Sequence, residues 1–403
     1  MRSFTSALAG AAVATIVVSG SLAIAAIPDS ATKVITGCYK KTTGELRVID
    51  KAAKGACNVK TEVELGWNQQ GVRGDQGIAG VSGSAGAAGA QGAPGESAFQ
   101  RCSVTRRWDL AVCKTTTYAL PAGAKSPLGV AFDGTSIWIV DSNATTNVTK
   151  IDPNTGAGTG VALPVGANGA DALVFDGTYM WTANYNTANV TRFNPSTGEG
   201  TNFALPAGST IPFGIAFDGT NIWTANIGGS NATKINPATG EAANIALPLG
   251  ADSPAGIAFD GTSIWIPNAH SDNVTRLNPT TGEGTNFSTG FCCPQGVAFD
   301  GTYIWVINGG TSTINRMDPA TGQGTIFSLP AGAQIPIAVA YDGTSIWTAN
   351  FNSANVTRID PSTGVGVNIP LPSGVTGPRG IGFDGRNIWI ANSTSANITK
   401  LVP

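Results

Sequence analysis

One phrase returns seven times between residue 126 and the C-terminus: GVAFDGTSIWIVDS, LVFDGTYMWTANY, GIAFDGTNIWTANI, GIAFDGTSIWIPNA, GVAFDGTYIWVING, AVAYDGTSIWTANF and GIGFDGRNIWIANS. Its aspartates are Asp133, Asp176, Asp218, Asp260, Asp300, Asp342 and Asp384, spaced by 43, 42, 42, 40, 42 and 42 residues. Seven copies at this period predict seven blades of a propeller. Each copy divides into four runs too short for a helix, with turn chemistry on both sides. In the first copy these are Gly129 to Phe132, Ile137 to Val140, Val148 to Ile151 and Gly160 to Leu163. Asp133-Gly134 is a strong hairpin signal between the first two, and Pro153-Asn154-Thr155-Gly156 turns the third into the fourth.

The ends test this reading. The seventh copy stops at its third strand, Ile398-Thr399-Lys400-Leu401, just before the final Pro403. The missing strand lies upstream, where Thr115 to Gly123 matches Thr201 to Gly208 of an internal copy. An N-terminal strand therefore completes the last blade and removes the edge that an open array would leave. The fold class is all-β: a closed seven-bladed β-propeller of four-stranded blades over 114–403.

Four segments precede it. Residues 1–26 read as a signal peptide, with Arg2, an apolar stretch and the small residues of Ala23-Ile24-Ala25. The rival is an uncleaved anchor, since the apolar run approaches spanning length. Either puts the bulk of the chain outside the cytoplasm, secreted or at the cell surface. Residues 27–70 form a small module with a hairpin about Thr43-Gly44. Residues 71–97 place Gly at every third position, as a collagen-like triple helix requires. Pro94 is the only proline of the run, so a trimerising stalk and a flexible spacer both stay open. Residues 98–113 are a linker containing Trp108.

The six cysteines fall into three local pairs: Cys38–Cys57, Cys102–Cys113 and the vicinal Cys292–Cys293. In an exported chain these are expected as disulfides. The net charge of −2, with no basic cluster, argues against a nucleic-acid partner. A zinc site is not expected, with one His and no CxxC.

The second strands end in a ring of polar residues: Asp141, Asn184, Asn226, Asn268, Asn308, Asn350 and Asn392. These form a candidate ligand-binding ring, against the alternative of local turn capping. Lys150, Arg192, Lys234, Arg276, Arg316, Arg358 and Lys400 recur on the third strands, where a solvated face or acid partners are expected. The departures from the repeat gather in the fourth and fifth copies. There Pro267 interrupts a strand end, His270 and Asp272 enter the next loop, and Phe291-Cys292-Cys293-Pro294 fills the following one. His270 with Asp272 is the candidate base pair, beside a stiff plate made by Cys292 and Cys293.

The segment GCYKKTTGELRVID to LGWNQQG resembles an N-terminal module of exported bacterial proteins that precedes collagen-like repeats. The repeat itself, P-x-G-I-A-F-D-G-T-x-I-W-x-A-N then N-V-T-R-I-D-P-x-T-G, resembles three propeller families: streptogramin B lyases, the gluconolactonase-like group and YVTN-type surface repeats. Such families share blades and not chemistry. The lyase resemblance implies a metal-assisted elimination using more than one His and a Glu. Here His270 is the only His, and Glu199, Glu241 and Glu283 lie in turns on the opposite side. The gluconolactonase-like resemblance implies a divalent metal held by Glu, Asn and Asp. This chain offers Asn, with Asp141, Asp171, Asp252 and Asp272 as the acids on the relevant loops. The favoured expectation is thus a non-enzymatic, exported propeller binding an extracellular small molecule, glycan or protein, with no cofactor. The alternatives are a metal-dependent lyase- or lactonase-like enzyme and a structural surface component. A homotrimer through 71–97 goes with the stalk reading.

Overall fold

A computed structural model describes residues 34–42, 46–49, 56–68, 113–141, 147–288, 290 and 292–403. The expected signal peptide, the Gly-x-y run, Cys102 and Trp108 lie outside the described residues. The contacts divide the chain into two units, Met1–Asp75 and Gln76–Pro403.

In the first unit, Val34–Lys40 pairs on one side with Leu46–Ile49 and on the other with Glu62–Asn68, both antiparallel. The Cys38–Cys57 disulfide staples this small sheet. So few residues bury little apolar surface, and the cross-link compensates by limiting the unfolded chain. The buried Glu62 carboxylate is met by the Arg47 guanidinium at 2.9 Å and the Asn58 amide at 2.8 Å.

The second unit contains seven four-stranded antiparallel sheets. Blade one is built from Pro127–Phe132, Ile137–Asp141, Asn147–Ile151 and Gly158–Ala162, running outward in chain order. The last blade takes Pro378–Phe383, Ile388–Asn392 and Asn397–Leu401 from the C-terminus and Thr115–Ala119 from upstream. The closing register runs from Asn397↔Ala119 to Leu401↔Thr115, as the repeat count requires. Tyr118 stacks on Trp389, so the closing strand is packed as well as hydrogen-bonded. Cys113 is disulfide-bonded, and its partner lies outside the described residues.

Each second strand contributes one fully buried tryptophan, from Trp138 to Trp389, between neighbouring sheets. The aspartate of the hairpin turn does two jobs. In blade one, Asp133 Oδ1 accepts the Thr135 and Ser136 amides, and Oδ2 accepts Trp138 Nε1 at 2.7 Å. The indole N–H is thereby satisfied inside the core. The same indole–carboxylate bond occurs in all seven blades.

Six of the seven third-strand cations reach turn carbonyls, not solvent or acids, among the described residues. Lys150 donates to the Pro195 carbonyl, Arg192 to Pro237, Lys234 to Pro279, Arg276 to Pro319 and Arg316 to Pro361. Each acceptor is the proline of the third-to-fourth-strand turn on the next blade. The cations also lie over aromatic rings of their own blade, as Arg192 does over Tyr179 at 4.8 Å. Apolar stems and rings pack while the charged head finds a carbonyl, which locks blade to blade.

Blade four departs from the pattern. Pro267 has no N–H to give the inner strand, whose ladder shrinks to Ala258–Phe259 with an isolated Pro254↔Asn268 bridge. The Gly256 amide donates instead to the Gln295 carbonyl of blade five at 2.9 Å.

Candidate functional site

The polar ring expected to bind ligand is internal. Asn184, Asn226, Asn268, Asn308, Asn350 and Asn392 are fully buried. Asn184 Nδ2 donates to Asn189 Oδ1 and Thr191 Oγ1 on the third strand, and Asn226, Asn268, Asn350 and Asn392 repeat this pattern. In blade five Asn308 reaches Thr313 Oγ1. Asp141 accepts the Lys125 and Ser126 amides, fixing the loop that enters blade one. The seven residues tie strands and loops together.

The departures of blade four do form a surface cluster. Backbone pairing of the two loops sets it: the Ala269 amide donates to the Ser253 carbonyl at 2.9 Å. That brings Ser253 Oγ to 2.8 Å from His270 Nδ1, with Asp252 Oδ2 3.8 Å from the same nitrogen. Ser230 Oγ of blade three donates to Asp252 Oδ1 at 3.1 Å, and the Asp252 amide donates to Ser271 Oγ at 3.0 Å. The His270 side chain is 75 % exposed and that of Asp252 60 %. The carboxylate beside His270 is therefore Asp252, not Asp272. Nδ1 carries both contacts, and Nε2 has no protein partner among the described residues.

Asp272 faces the next blade, where its Oδ1 accepts the Cys293 amide at 2.8 Å. The expected vicinal disulfide is not formed: Cys292 and Cys293 are free, with sulfurs 2.9 Å apart. The hydrogen bond from Cys292, then burial and the negative field of Asp272, push the Cys293 thiol up to about 11. A thiol so held is a poor nucleophile at neutral pH.

Ser253 and Cys293 occupy the same repeat position, just before the inner strand, and both have left-handed φ of 56° and 59°. Gly169 and Gly377 fill that position in blades two and seven, where the conformation costs nothing. Ile211 and Ile335 take the same conformation in blades three and six, with φ of 57° and 50°, so the turn belongs to the repeat and blades four and five differ in the polar side chain it carries.

Toward the axis, the second residue of the inner strand lines the neck of the channel in five blades: Leu128, Asp171, Phe213, Ile337 and Arg379. The cavity there is about 30 Å³, where one water needs ~10–15 Å³. That volume suits a water pair or a single ion. Enclosure of Asp171 by the neck raises its carboxyl to about 6, with Arg379 pulling in the opposite direction.

A family model described as the virginiamycin B lyase family matches residues 174–401, more than half of the sequence. The chain belongs to the virginiamycin B lyase family. Among solved structures it is similar to a catalytically inactive His-to-Ala variant of virginiamycin B lyase from Staphylococcus aureus with quinupristin. That match has 23% identity and a TM-score of 0.64, covering 72% of this chain and 99% of that one. A streptogramin B lyase structure matches at 19% identity and TM-score 0.64, covering 72% and 97%. Hydrazine synthase of Kuenenia stuttgartiensis matches at 18% identity and TM-score 0.59, covering 70% and 96%. At such identities the structural likeness shows the fold. No curated protein matches the chain.

Within this family the chain's own donors do not fit the metal-and-histidine set that the lyase resemblance implies. His270 is a lone imidazole, and the asparagines from Asn184 to Asn392 are fully buried and donate to third-strand side chains. Glu199, Glu241 and Glu283 sit exposed in third-to-fourth-strand turns. Sequence reading had missed the Asp252–His270–Ser253 grouping. Its signal was the repeat alignment itself, which sets Asp252-Ser253 beside Thr210-Ile211 and Gln334-Ile335 of other blades.

Proposed function

We propose that this family member is a binding propeller and does not carry out the elimination. Its ligand, a polar extracellular small molecule or glycan, docks on the surface arc of Ser230, Asp252, Ser253, Ser271 and His270. One observation carries the reading: His270 is anchored through Nδ1 by Ser253 while its ring stays exposed beside the Asp252 carboxylate, itself mostly exposed. Such an arc offers hydrogen-bond donors and acceptors to hydroxyls and amides. It lacks the second imidazole and the glutamate that would move a proton between substrate atoms. Residues 1–26 export the module, and 71–97 set it off from whatever it is attached to.

The lone histidine makes a clean probe, because its ring signals in a nitrogen–proton NMR spectrum need no assignment. Quinupristin, found with the staphylococcal variant, is the first ligand to titrate, followed by a panel of neutral oligosaccharides. A saturable shift of the His270 ring with unchanged ligand on chromatography supports binding. Consumption of quinupristin with added Mg²⁺, lost in His270→Ala, replaces this reading by the lyase one. No shift with any of these ligands removes the arc.

A further inference from the structure

We propose that Cys292, Cys293 and Asp272 form a binding site for one soft divalent cation of the zinc–cadmium type. The inference is independent of the arc's ligand. The donor atoms, two sulfurs from the loop entering blade five and a carboxylate from blade four, all lie within 4.8 Å of one another. All three residues are partly exposed, so an ion can reach them.

The arrangement is specific to this corner of the ring. Other blades put Ala188, Ser230, Ser312, Ala354 or Ala396 where blade four has Asp272, all at left-handed φ. Asp272 alone brings a charge there, and the Cys293 amide fixes its carboxylate at 2.8 Å. No Lys or Arg neutralises Asp272 among the described residues. On the blade-five side, the Gly309 amide holds the Cys293 carbonyl at 3.2 Å. Gly310 leaves room for the other sulfur: a Cβ there would come within 2.8 Å of Cys292 Sγ.

The chemistry selects the ion class. Paired thiolates favour soft d¹⁰ cations over Mg²⁺ or Ca²⁺. Two thiolates at about 2.3 Å from a tetrahedral ion stand about 3.8 Å apart. Starting from 2.9 Å, each sulfur swings outward by only about half an ångström. Both thiols lose their protons as the ion enters, the carboxylate is the third donor, and water completes the shell.

The test is Cd²⁺ titration of the full chain after mild anaerobic reduction, read by the ultraviolet thiolate-to-cadmium band and by calorimetry. We expect one ion per chain more than in the Cys292→Ser/Cys293→Ser double variant, with two protons released. Asp272→Asn should weaken binding at least roughly tenfold. Iodoacetamide treatment of the reduced wild type should abolish the same ion, which guards against a variant that fails to fold. Equal stoichiometry in wild type and double variant, or full affinity in Asp272→Asn, overturns the site.

Discussion

The Lys400 ammonium of blade seven donates to the Pro153 carbonyl of blade one at 2.7 Å, across the seam where the chain's two ends meet. Six blades pass such a bond to the next, and at this seam it spans 247 residues of sequence. In blade six, the Arg358 guanidinium donates through Nε to Ser345 Oγ of the same blade.

The bond across the seam gives a first prediction. Lys400→Met keeps the stem over Trp389 and removes the cross-seam bond, at a cost of about 1–2 kcal/mol for a charged donor. Lys150→Met removes the same kind of bond to Pro195, between blades that the chain already joins, and should cost less. Urea denaturation of the two variants side by side checks the order. Equal losses would mean that the bond does no more at the seam than elsewhere in the ring.

The same seam forbids a side chain on Gly380. A Cβ there would lie 1.7 Å from the Leu128 carbonyl oxygen, backbone against backbone across blades seven and one. Gly380→Ala should cost on the order of 3 kcal/mol or more, or prevent folding. Gly160→Ala, with nothing within 4 Å of the new methyl, serves as the control. It should stay within about 0.5 kcal/mol of the parent, as measured by thermal melting.

Blade number, strand order and the closing strand were legible because they depend on periodicities within a repeat. What escaped were contacts between repeats. Lys150 meets Pro195, 45 residues on, and nothing inside one repeat pairs a cation with that carbonyl. The Asn ring was misread for a different reason. Asn184 recurs with Asn189 and Thr191, an i, i+5, i+7 spacing that the hairpin turns into cross-strand partners. Taken alone, Asn184 looked free to bind something else. His270 was joined to Asp272 because they are neighbours in the chain. Its contacts come from the loop before the inner strand, through the Ala269–Ser253 backbone bond.

A buried vacancy in hydrogen bonding gives the next prediction. Asn184, Asn226 and Asn350 each accept at Oδ1 from a threonine two residues earlier: Thr182, Thr224 and Thr348. Blades four, five and seven have Ile266, Val306 and Ile390 there, and Asn268, Asn308 and Asn392 have no partner at Oδ1 among the described residues. Val306→Thr exchanges a methyl for a hydroxyl of nearly the same shape and supplies the donor. It should stabilise by about 1 kcal/mol. A lower denaturation midpoint for this variant would show that the hydroxyl's burial outweighs the new bond.

The neck acid gives a pH dependence of definite sign. Asp171 titrates at about 6 in the fold and near 3.9 in an unfolded chain. Between these values the folded protein holds a proton that the unfolded one has lost, so stability falls as pH rises. The stabilising contribution of the proton is complete below the unfolded value and gone above the folded one. Asp171→Asn cannot ionise and avoids the loss, while at low pH it mimics the protonated parent. The melting temperature of Asp171→Asn relative to wild type should therefore climb from pH 4 to pH 7 and then level off. A difference that stays flat over this range, or that falls, would show that Arg379 governs the Asp171 carboxyl more strongly than enclosure by the neck does.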